Sequence, residues 1–177
     1  MLGWILAAAL LLPLSQGLSA ALPVPPEQEH HASGEDDDRP RDGVPVAAAT
    51  EQKVRAFLER FVDPEKTPEE QAELFTERAE YYDRGYVRRD DIVRDVERYV
   101  RHWPKRHYEV TGIDFMSADP RSDRIFVSYT IDFEVARGKQ SVRGKASYGA
   151  VITDIDGEPK VESIKEKVHA RSSGSNQ

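Results

Sequence analysis

Apolar and polar side chains alternate from Tyr129 to Val135 and from Val142 to Tyr148, on either side of Gly138-Lys139. That pattern constrains the fold more than any other part of the chain. If Gly138 and Lys139 form a two-residue loop, the glycine suits the first central position of a type II′ turn, and facing residues then have numbers that sum to 277. In that register Tyr129 faces Tyr148, Ile131 faces Ala146, Phe133 faces Gly144 and Val135 faces Val142, all on one side. On the other side Asp132 meets Lys145, Glu134 meets Arg143 and Thr130 meets Ser147, which are complementary cross-strand pairs. A register taken at random does not sort both faces.

The segments before this hairpin follow helical periods. Val54, Phe57, Leu58 and Phe61 recur at i, i+3, i+4 and i+7 behind Thr50, a residue able to cap, so a helix is expected from about Thr50. Thr67-Pro68-Glu69-Glu70 opens a second helix through a capping box with proline in the first turn, and Leu74 and Phe75 are its expected buried positions. An extended stretch is expected around Tyr81-Tyr82-Asp83, then a turn at Gly85. A third helix carries Ile92, Val96, Tyr99, Val100 and Trp103 on one stripe, and Pro104 stops it. Tyr108 to Met116 reads as a strand whose parity shifts at Gly112, placing Tyr108, Val110, Ile113 and Phe115 inward across a bulge. Asp156-Gly157 marks a turn into a last strand from about Lys160 to His169.

Length and charge set the remaining limits. A chain of 177 residues has room for one ordinary domain. Without cysteine there is no disulfide framework, no Cys-ligated metal and no thiol nucleophile. The net charge of −7 argues against a nucleic-acid partner, which needs a basic surface. Residues 1–21 carry no charged side chain and contain the run Trp4 to Leu12 followed by Ser19-Ala20-Ala21, so a secretory signal peptide is expected there. An intact Met1 on exported protein would rule it out. Residues 22–49 hold five prolines, seven acids and two arginines without periodicity, which describes a disordered acidic linker. His30-His31 beside Glu35 to Asp38 is better explained as a solvated charge run than as a metal tract. The folded domain is therefore expected over residues 50–169, with a disordered tail over 170–177.

Three helices gathered on one face of a curved, mostly antiparallel sheet make an α+β domain. The order resembles that of the nuclear transport factor 2-like superfamily, whose cone-shaped fold includes ketosteroid isomerase and SnoaL-type cyclases. The resemblance covers about Thr50 to Val168. It is carried by Phe75 to Gly85, by Arg88-Arg89-Asp90-Asp91-Ile92 and by Arg98 to Pro104, which is similar to exported bacterial members. It implies a pocket between helices and sheet, and Asp83 falls where the isomerases place their general base. A carboxylate there needs an oxyanion donor, commonly a Tyr hydroxyl with a protonated Asp. The inward hairpin face has no carboxylic acid, although Tyr129 or Tyr148 could offer a hydroxyl.

The candidate catalytic groups are Asp83 and Glu166, and the candidate ligand-binding residues are Tyr82, Asp83, Tyr99, Trp103, Tyr129, Tyr148 and Glu166. Each has a structural explanation too. Asp83 precedes Arg84-Gly85, where Asp commonly bonds local backbone; Trp103 ends an apolar stripe and suits a core plug. Tyr81, Tyr82 and Tyr99 suit buried rings with hydroxyls at the pocket mouth. Glu166 shares the inward face of Ile164 and Val168 only if a bulge corrects the opposite parity of Val161. His102, His107 and His169 lack metal-ligand spacing, so neither a metal nor a cofactor is expected. The missing oxyanion donor favours an exported, periplasmic or secreted, non-catalytic module that binds a small ligand, peptide or protein in its cone. The alternative is a small isomerase, cyclase or hydratase using Asp83 as base. The charged outer sheet face points to a monomer or weak homodimer, with no membrane insertion once the signal peptide is removed.

Overall fold

The computed structural model describes residues 46–119 and 121–175, with side chains described as far as Glu166. The expected signal peptide and all but the end of the expected linker lie outside the described residues. Helix α1 spans Ala48–Phe61 and buries Val54, Phe57, Leu58 and Phe61, as the period requires. It starts earlier than Thr50, with Ala47 at the N-cap and no side-chain cap. Helix α2, Pro68–Glu73, has the full capping box: the Glu70 amide donates to Thr67 Oγ1 (3.2 Å), and the Thr67 amide donates to Glu70 Oε2 (2.8 Å). Leu74 and Phe75 do not belong to it. Leu74 is its C-cap and Phe75 opens strand β1, Phe75–Tyr81. A short β2, Tyr86–Arg88, returns antiparallel to β1. Helix α3, Arg89–His102, follows, with Trp103 at its C-cap.

Four long strands complete the domain: β3 (Lys105–Asp119), β4 (Arg124–Arg137), β5 (Gln140–Thr153) and β6 (Lys160–Ser175), the last running on past His169. The sheet order is β2-β1-β6-β5-β4-β3, with every pair antiparallel except β1 and β6. The fold is thus α+β, with helices covering one face of a mixed six-stranded sheet. The β4–β5 register is the expected one throughout, from Arg137 opposite Gln140 to Arg124 opposite Thr153. Gly138 has φ +59°, where a Cβ would be strained, and Lys139 does not share the positive φ. That combination fits a type II′ loop.

Burial follows the alternation. Tyr129, Ile131, Phe133, Val135, Val142, Ala146 and Tyr148 are buried, while Asp132 and Lys145 form an ion pair on the outer face. Strand β3 departs from expectation at one position. Its pairing with β4 shifts twice, between Val110 and Gly112 and again between Ile113 and Phe115. The first shift is the expected bulge. The second restores the original parity and turns Phe115 outward, where it is 58% exposed. Among the described residues no helix is long and apolar enough to cross a membrane.

Candidate functional site

Five tyrosines reach one cavity from α3, from β3, β4 and β5, and from the turn between β1 and β2. Tyr129 and Tyr148 are register partners on β4 and β5, and their rings stack with centroids 5.3 Å apart. Tyr99 comes from the inward stripe of α3, and Tyr108 from β3 donates its hydroxyl to the Tyr99 hydroxyl at 3.1 Å. Tyr82 completes the wall through an unusual backbone. In a regular strand Tyr81 and Tyr82 would point to opposite faces. Tyr82 instead adopts φ +53°, held by its amide donating to the Ile164 carbonyl (2.8 Å), so both rings are buried, 4.7 Å apart and edge to face. A left-handed aromatic residue costs about 1–3 kcal/mol, which the surrounding packing must offset.

The cavity these rings line is small, about 60 Å³. The segment after α1 borders it on one side: Lys66 stands 3.6 Å from Asp63, which also lines the cavity, and the Arg106 guanidinium donates to the carbonyls of Trp103 (3.1 Å) and Pro64 (2.5 Å). Beyond the Tyr82 ring an open cleft of about 430 Å³ is bordered by Tyr82, Asp83, Lys165 and Glu166. Lys165 is engaged there, 2.8 Å from Glu80. Glu166 is half-buried, lies opposite Tyr148 in the β5–β6 register, and accepts the Tyr148 hydroxyl at 3.2 Å. The bulge needed to turn it inward is present: the β5–β6 pairing shifts between Val161 and Ser163, which lets Val161 and Ile164 both be buried.

Burial is the first cause that pushes the phenols of Tyr82, Tyr99, Tyr108, Tyr129 and Tyr148 above their ordinary range. The Glu166 charge adds to the rise at Tyr82, Tyr99, Tyr129 and Tyr148, so its field reaches most of the lining. These hydroxyls stay protonated at neutral pH. They can donate to a ligand or accept from one.

The sequence-based candidates divide by location. Tyr82, Tyr99, Tyr129 and Tyr148 line the cavity, and Glu166 meets it through the Tyr148 hydroxyl. Trp103 does not line it; with 2% exposure it is a core plug at the α3 C-cap, its ring edge to face with His102. Asp83 is exposed at the cleft, outside the tyrosine cavity, and makes none of the expected backbone hydrogen bonds among the described residues. The turn closes without it, through the Arg84 amide on the Tyr81 carbonyl and the Tyr81 amide on the Gly85 carbonyl. Tyr108, Arg106 and Lys66 were missed. The inward parity of Tyr108 with Val110 was the signal for the first, and none marked the other two. Among the described residues no three His, Asp or Glu side chains gather as metal ligands.

Solved structures similar to this domain share its architecture. A protein from Catenulispora acidiphila is 20% identical with a TM-score of 0.58, the match covering 68% of this chain and 92% of that one. A Novosphingobium aromaticivorans protein assigned as a scytalone dehydratase is 14% identical with a TM-score of 0.54, covering 73% and 87%. The type 3 hexachlorocyclohexane dehydrochlorinase of Novosphingobium barchaimii is 15% identical with a TM-score of 0.55, covering 73% and 90%. This domain has the nuclear transport factor 2-like fold. No protein-family profile matches the chain, and no curated protein sequence matches it. At these identities the likeness concerns the fold and not its chemistry.

Proposed function

We propose that this nuclear transport factor 2-like domain is a binding module, exported from the cell, that holds a small ligand in its tyrosine-lined cone without converting it. The observation that supports this reading is the composition of the cavity wall: five tyrosines give a rigid aromatic surface with hydroxyls at its edge. The carboxylate expected to serve as base, Asp83, lies outside that wall.

A second reading draws on one specific contact. Glu166, hydrogen-bonded to the Tyr148 hydroxyl beside the cavity, has the position a general base would need, and Tyr129 could stabilise an enolate. Proton-transfer chemistry of isomerase, cyclase or hydratase type would follow. Its neighbours in fold include proteins named as a dehydrochlorinase and a dehydratase.

Turnover measurements separate the two. A panel of small enolisable ketones incubated with the protein is expected to be recovered unchanged, at the rate seen in buffer. Turnover well above buffer, lost in a Glu166→Gln or Asp83→Asn variant that melts normally, would replace binding with catalysis.

A further inference from the structure

The charged side chains lining the tyrosine cavity do not balance. Lys66, Arg106 and Asp63 put two cations against one carboxylate there, and Asp63 stands 3.6 Å from Lys66. Arg106 is half-buried and forms no ion pair among the described residues. Its hydrogen-bond partners are neutral: the Trp103 carbonyl at the α3 C-cap and the Pro64 carbonyl after α1 hold the guanidinium from two elements. Those bonds use two of its five N–H donors, and three remain. Arg106 and Tyr108 are two residues apart in a regular stretch of β3, so they share a face, and both line the cavity. The Tyr108 hydroxyl donates to the Tyr99 hydroxyl, which leaves that pair one proton with no acceptor among the described residues. A positive charge partly withdrawn from water, with a spare hydroxyl donor on the same wall, is a set of donors that lacks an anion.

We propose that the tyrosine cavity binds a short-chain aliphatic monocarboxylate, whose carboxylate accepts from the Arg106 guanidinium and from the spare hydroxyl proton of the Tyr99–Tyr108 pair. This rests on the binding reading above and names its ligand class. A carboxylate has acceptors and no donor, and it matches the planar fork of an arginine. The rest of the wall, with the rings of Tyr129 and Tyr148 and the side chains of Ile131, Val96 and Val100, suits an alkyl chain. The size agrees. A space of about 60 Å³ takes a chain of a few carbons, whereas benzene occupies a cavity of about 150 Å³. Two charges orient the ligand. Burial raises the phenols of Tyr99 and Tyr108, and the Arg106 charge works against that rise at both. Glu166 accepts the Tyr148 hydroxyl, so a second carboxylate is repelled from Tyr148 and the alkyl end lies there.

The test titrates butyrate and butyramide, two probes of the same length that differ in charge, calorimetrically into the full chain and its variants. Butyrate is expected to bind the wild type at least tenfold more tightly than butyramide. Arg106→Gln is expected to remove most of that preference. Arg106→Lys, which keeps the charge, serves as a second variant if Arg106→Gln melts abnormally, and should retain part of it. Tyr99→Phe combined with Tyr108→Phe leaves Arg106 in place and should weaken butyrate severalfold. Arg143→Gln, which removes an exposed charge from β5, should leave the preference unchanged. Benzoate, whose ring exceeds the cavity, should bind worse than butyrate. Equal binding of butyrate and butyramide would overturn the carboxylate assignment and leave a neutral-ligand receptor standing. A preference that survives Arg106→Gln in a normally melting variant, or binding of neither probe, would overturn it as well. Turnover of the ketone panel would remove the non-catalytic reading without altering the butyrate-to-butyramide ratio.

Discussion

Raising the pH is expected to unfold this domain in one steep transition a unit or two above pH 10, with phenolate absorbance at 295 nm appearing together with loss of secondary structure. Six of the seven tyrosines, Tyr81, Tyr82, Tyr99, Tyr108, Tyr129 and Tyr148, have phenols pushed upward, in each case chiefly by burial. The direction of the effect follows from the neutral form. Below the unfolded phenol value near 10, both states are protonated and the fold keeps its full stability. Above it the unfolded chain loses protons that the folded chain retains, and each such phenol removes about 1.4 kcal/mol of stability per pH unit. Six acting together take away roughly 8 kcal/mol per unit, against a typical total of about 5–15 kcal/mol. Tyr86, 62% exposed, is the tyrosine outside this group. If two or more tyrosines ionise while the circular dichroism remains native, burial does not hold these phenols in the neutral form.

The second large effect is expected at Asp95, on the far side of α3 from the solvent. Its carboxylate is 4% exposed, accepts the Arg98 guanidinium at 2.8 Å and the Tyr81 hydroxyl at 3.2 Å, and stands 3.7 Å from Arg84. Asp95→Ala removes the acceptor of a hydroxyl on a fully buried ring and the counter-charge of two arginines. Breaking a buried pair in this way costs about 3–5 kcal/mol. Both guanidiniums keep partial access to water and recover some solvation, so the lower end of that range, and a fall in melting temperature of roughly 10 °C, is expected. Asp95→Asn keeps an acceptor for Tyr81 and should cost about half as much. Arg94→Ala, which breaks the exposed pair with Asp91, should cost less than about 1 kcal/mol. Urea denaturation that ranks Asp95→Ala with Arg94→Ala would show that the cluster does not hold α3 to β1.

These two sites also show what could be read in advance. Asp95 lies between Ile92 and Val96 on the buried stripe of α3, where a carboxylate looks like a fault in the pattern. Its reason is Tyr81, which arrives from β1, and Arg84, which arrives from the turn behind it. Residue spacing within α3 carries no record of either.

The sequence by itself determined the features whose energetics are local. The β4–β5 register follows from Gly138 and two alternating faces, because slipping by one residue would put Tyr129, Ile131 and Phe133 into water and Asp132 into the core. The α2 start follows from Thr67, Pro68 and Glu70, because the bonds that cap it run between residues three apart. The tertiary structure decided where side chains point once a strand is interrupted. A second bulge turned Phe115 outward, and the shift between Val161 and Ser163 turned Glu166 toward Tyr148. The left-handed Tyr82 brought its ring into the cavity and left Asp83 outside. Each of these depends on a partner distant in the chain, β4, β5 or the Ile164 carbonyl, whose hydrogen bonds fix the irregularity. Alternation of period two carries inward and outward forward only as far as the next irregularity, so Tyr108, Tyr129 and Tyr148 were legible as inward residues while the placement of Tyr82 and Glu166 was not.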